Sequence, residues 1–91
     1  MALSTQHLQA VSAVLTQAAS ARQAATAWRG QHPAIRMVVV DAMDMRDETP
    51  AQRLSLATGA ACSVFLAASN GHCWHVTTQP DEATAFIVTE T

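Results

Sequence analysis

Leu8, Val11, Leu15, Ala18, Ala25 and Trp28 recur at intervals of three, four and seven, which draws one apolar stripe along an α-helix. Val14 and Ala21 flank the stripe, while Gln6, Gln9, Gln17 and Gln23 fall mainly away from it. Ser4 can cap the first turn through its hydroxyl, Gly30 suits the position after the last turn, and Pro33 prevents continuation. The pattern predicts one long helix over residues 4–29. Its second half is rich in alanine, so it can lie close to whatever it covers.

The run IRMVVVDAM, residues 35–43, holds three consecutive valines among apolar neighbours. Such a run predicts a strand buried on both faces, hence a central one. DMRDETP, residues 44–50, reads as a polar loop. Thr49 and Pro50 then resemble an N-cap and a first-turn proline, opening a short second helix through Leu54.

GAACSVFLAASNGHCWHVTT, residues 59–78, reads as a β-hairpin turning at Asn70 and Gly71. A two-residue turn pairs Ser69 with His72; a three-residue loop pairs Ala68 with His72. The second register gathers Cys62, Val64, Leu66, Trp74 and Val76 on one face and is favoured, because burial selects the better-segregated register. TAFIVTE, residues 84–90, supplies a last strand. Together these elements predict a single α+β domain over residues 1–91. It has two layers, with the long helix packed on a mostly antiparallel sheet of about four strands.

Composition adjusts this picture. The 49% apolar fraction is inflated by alanine, with only two Phe, two Trp and no Tyr. A core of this kind is adequate for 91 residues but thin, and a second copy would help it. Net charge is −2, and the five arginines are dispersed along the chain with no lysine, which argues against nucleic-acid binding. MALSTQHLQAVSAVL lacks a basic leader, and no run of 18 apolar residues suggests a membrane span. Two cysteines without an export signal are expected to stay reduced, so the expected location is cytoplasmic.

The chemistry worth weighing sits near the hairpin turn. Cys73 and His75 are two apart, so in a strand they share a face and can supply two ligands to a transition metal. His72 is the nearest third donor, and it falls on the opposite face if pairing starts there. His7, His32 and Asp41 have no spacing that implicates them. A nucleophilic Cys73 would need a cation or helix N-terminus beside it, and only His72 and His75 are near in sequence. In the favoured register Cys62 and Cys73 lie five rungs apart on opposite faces, beyond disulfide reach. Asp41, Asp44, Asp47 and Glu48 read as a solvated acidic loop, since they lack the order of a calcium loop. Met37, Met43 and Met45 read as gap fillers, and Trp28 and Trp74 as core anchors. No glycine-rich phosphate loop, hydrolase signature or cofactor motif is present.

In HPAIRMVVVDAMD and NGHCWHVTTQPDEATAFIV the layout resembles a group of short bacterial proteins of unknown function. They share a leading helix, a strand after a proline turn, a hairpin and a closing strand. The resemblance implies a stand-alone globular protein and carries no activity or site residues.

The functional expectation is geometric. One helix shields one sheet face, while Phe65, Ala67 and His75 are expected to share the other. An apolar face left open to water marks an interaction site. The expected function is therefore a small non-enzymatic cytoplasmic interaction module, a homodimer or a subunit binding another protein, with no cofactor and no nucleic-acid or membrane partner. The alternative is a small metal- or thiol-dependent protein using Cys73 and His75, with His72 in reserve.

Overall fold

A computed structural model describes residues 3–69 and 73–90. Ser4 caps the first helix, α1 (Thr5–Gln17), accepting from the His7 backbone N–H while the His7 ring accepts from the Ser4 N–H. The expected long helix is two helices. At Ala18 the backbone turns extended, and a second cap, Ser20, opens α2 (Ala21–Gln31). The interruption is held from both sides: Ser20 accepts from the Gln23 N–H, and Gln23 Oε1 accepts from the Ala19 N–H. The Ala18 carbonyl, released from the helix, accepts from the Ala57 N–H. Ala18 and Ala21 nonetheless stay buried, so the apolar stripe continues across the break. The second helix runs past Gly30 and ends at His32, whose N–H reaches the Trp28 carbonyl.

Five strands follow: β1 (Arg36–Asp41), β2 (Gln52–Ser55), β3 (Ala61–Ser69), β4 (Trp74–Thr77) and β5 (Ala85–Glu90). A 3-10 turn, Ala42–Met45, follows β1 directly. The sheet is mixed and open, in the order β1-β5-β3-β2. Among the described residues only the β1–β5 pair is parallel; β3 is antiparallel to β5, β2 and β4. A strand has two edges, and β5 takes one edge of β3 from Cys62 to Ala67. The other edge is divided, β2 pairing with residues 61–64 and β4 with residues 66–69.

Two expectations are corrected here. Residues 52–55 form a strand, not a helix: Gln52 and Leu54 are half-buried, Arg53 and Ser55 exposed, which is period two. The valine run is an outer strand, not a central one. Val38 and Val39 are 39% and 36% exposed, and the central positions belong to β5 and β3.

Both helices cover the same face, α1 toward β2 and α2 toward β1 and β5. Between helices and sheet lie Val11, Leu15, Trp28, Met37, Val64, Leu66, Phe86 and Val88, all at most 3% exposed. Trp28 anchors this layer. Its ring meets Phe86 edge-on with centroids 5.5 Å apart, and its Nε1 donates to the Ile35 carbonyl at 2.8 Å. Burying such a side chain stabilises the fold by about 1.5–3 kcal/mol, so the thin core is spent on one well-filled side.

Among the described residues the other face carries no helix, yet Phe65 in mid-sheet is only 3% exposed. Strand neighbours alone do not shield a phenyl ring so fully. Because β5 and β3 separate β1 from β2, residues 42–51 must cross both strands. The 3-10 turn contacts β1 and β5, and Ala51 N–H donates to the Val64 carbonyl at 2.7 Å. With the opposite face filled by helices, this crossing connection is the segment placed to cover Phe65.

Candidate functional site

The β3–β4 hairpin pairs Ser69 with Trp74, Ala68 with His75, Ala67 with Val76 and Leu66 with Thr77. This lies three positions from the register favoured by segregation, an odd shift that exchanges the faces of β4. The expected register assumed that Trp74 belongs to the core. The helix side is already filled by Trp28 and Phe86, and Trp74 stands 47% exposed on the helix-free face. Asn70, Gly71 and His72, which carry the expected turn and the third candidate donor, lie outside the described residues.

Cys73 precedes β4 and is exposed; His75 is exposed and opposite Ala68. Among the described residues no three His, Cys, Asp or Glu side chains gather into a metal-holding group. Cys62 lies at the other end of β3, buried, and the two cysteines are not joined. Its cross-strand neighbours are Leu54 and Glu90. Burial pushes the Cys62 thiol up, the Glu90 charge adds to the effect, and a hydrogen bond from the Leu54 backbone opposes both. Cys62 is therefore a protonated core group and a poor nucleophile.

The acidic segment has local structural work. Asp41 Oδ1 accepts from the Met43 N–H at 2.9 Å, capping the 3-10 turn, and Asp47 lies 4.0 Å from Arg46 at the surface. His7 and His32, which no spacing implicates, are brought together over Trp28. The His32 ring stacks on the indole at 4.1 Å, and His7 meets His32 edge-on at 6.2 Å. A legible signal for His7 was its place three residues after Ser4, the capping-box position.

What remains is apolar surface. Phe65 and Ala67 are buried within the chain, and His75 belongs to the opposite side of the sheet, so these three do not form one exposed face. The exposed apolar groups of the helix-free face are instead Trp74 on β4 and Val38 on β1, with Val76, Val40 and Ile87 half-buried. Cross-strand pairing places Val38 beside Ile87, but the next neighbour on this face, Phe65, is buried, so Val38 with Ile87 and Trp74 with Val76 are two separate patches. Trp74 lies opposite Ser69, on the β4 side of the buried Phe65 and Ala67.

The fold and these surfaces define a small two-layer α+β protein with helices on one side of a mixed sheet. Compared with known proteins, the chain matches no family model, no curated protein and no solved structure. No helix among the described residues is long and apolar enough to cross a membrane.

Proposed function

We propose that this protein is a small non-enzymatic interaction module of the cytoplasm that associates with a second copy of itself, or with another protein, through the helix-free face. The observation that carries the reading is Trp74, 47% exposed on the helix-free face of β4 with half-buried Val76 two residues on. Indoles in such positions are typical anchors of protein interfaces, because they offer large contact area and one polar handle. The face is rimmed by polar groups, Arg36 and Arg53 among them, as interface cores are.

Sedimentation velocity from about one to a hundred micromolar, a range set by ordinary module affinities, tests self-association. A dimer that Trp74→Ala weakens supports the reading in its homodimeric form. A strict monomer whose Trp74 is unaltered by any partner isolated with the native chain removes it.

A further inference from the structure

We propose that the outer edge of β1, with the groove between it and α2, is a docking site for an extended acidic segment of another protein. The segment adds to the sheet as a strand and sets its carboxylates against Arg22 and Arg29. This site meets the helix-free face only at Arg36 and Val38 and does not rest on the reading of that face.

Among the described strands β1 pairs only with β5, so one row of its backbone N–H and C=O groups faces outward. Outer strands are ordinarily guarded by proline, lysine, a bulge or a short length. Arg36–Asp41 has six residues paired without interruption and carries Met37, Val38, Val39 and Val40 in succession. The other outer strands, β2 and β4, have four residues each. This edge is the one built to accept a neighbour.

The groove beside it has a volume of about 700 Å³ and a floor that includes Ile35, Met37 and Val39. Arg22, Arg29 and Arg36 all line it. Arg22 and Arg29 are seven apart on α2, hence on one side of the helix and about 10.5 Å apart along its axis. All three are exposed, and among the described residues none forms an ion pair. Outside the groove the chain keeps two arginines against seven acidic residues, so its positive charge is concentrated here.

These facts select the occupant. A second copy paired through β1 would bring six arginines together, and like charges at a sheet edge oppose pairing. A nucleic acid gains affinity with each phosphate neutralised, and three arginines in an acidic chain offer few. A peptide strand satisfies the open backbone row, as strand addition does elsewhere. Its alternate side chains, spaced about 6.8 Å on one face, fall within reach of long arginines. Asp41, at the far end of β1, is engaged with the Met43 N–H.

The test uses the intact chain and a fluorescein-labelled octapeptide of alternating valine and glutamate. Fluorescence anisotropy should show saturable binding that weakens as salt is raised, and amide shifts in the protein should centre on residues 36–41. Arg22→Ser with Arg29→Ser, both exposed, should weaken binding at least about tenfold while the circular dichroism stays unchanged. The same peptide N-methylated at alternate amides on its pairing side should lose binding comparably, because it keeps its charge but not its strand hydrogen bonds. Trp74→Ala should leave peptide affinity intact, which separates this site from the helix-free face. Equal binding of a valine–lysine peptide, equal binding of the N-methylated peptide, or tighter binding of an oligothymidylate would overturn the proposal.

Discussion

Glu90 Oε1 accepts a hydrogen bond from the Ala21 backbone N–H at 2.6 Å, tying the end of the last strand to the first turn of the second helix. An anion at that turn meets both an orphan donor and the positive end of the helix dipole. Glu90→Gln keeps an acceptor but removes the charge. A loss of about 0.5–1 kcal/mol is expected, read as a fall of several degrees in melting temperature. An unchanged Tm would show that the charge contributes nothing at this junction.

The helix break makes a second prediction. Ser20→Ala removes the acceptor for the Gln23 N–H and should cost about 1 kcal/mol in urea unfolding. Ser20→Asp should restore most of that loss, since aspartate caps as well as serine. If Ser20→Ala were instead stabilising, the single long helix would be the better description of residues 4–31.

Trp28 and Trp74 should separate spectroscopically. Trp28 is fully buried and Trp74 is half-exposed, so acrylamide should quench two distinct populations, and Trp74→Phe should abolish the accessible one. Trp28→Phe leaves the Ile35 carbonyl without its donor. A loss of about 1–3 kcal/mol is expected by urea titration, a large share of the roughly 5–15 kcal/mol that holds a domain together.

The cysteines should differ in the same way. In the native protein iodoacetamide should modify Cys73 and spare Cys62, which should react only after unfolding; peptide mass mapping distinguishes them. The raised Cys62 value means that the folded chain holds this proton more tightly than the unfolded chain does. Its contribution is whole below the ordinary value of 9.0 and is lost as pH rises through the folded value. Stability should therefore decline above pH 9.0, and Cys62→Ala should flatten that decline. A decline of the same slope in Cys62→Ala would assign it to other groups.

Periodicity made the helical stripe and the last strand legible, because their spacing is set by one face alone. The valine run was harder: consecutive apolar residues suit a strand sealed on both sides and equally one whose outer surface receives a partner. Leu54 and Leu56, two apart, were the strand signal that a threonine–proline pair obscured. The hairpin register depended on where Trp74 finds room, which is a property of the core already filled by Trp28 and Phe86. Of the chemistry around Cys73, sequence spacing raised His75 and His72 as co-ligands, and His72 lies outside the described residues, among which no three His, Cys, Asp or Glu side chains gather.

The position of β5 bears on how the molecule comes into being. Ala85–Glu90 lies between β1 and β3, joining the outer valine strand to the rest of the sheet. A nascent chain halted before Ala85 holds both helices and β1 to β4, but Arg36–Asp41 then has no strand partner among the described strands. The sheet therefore knits together only once Ala85–Glu90 is available to pair. Until that moment a bare valine strand waits in a crowded cell, where early assistance from a chaperone would count most.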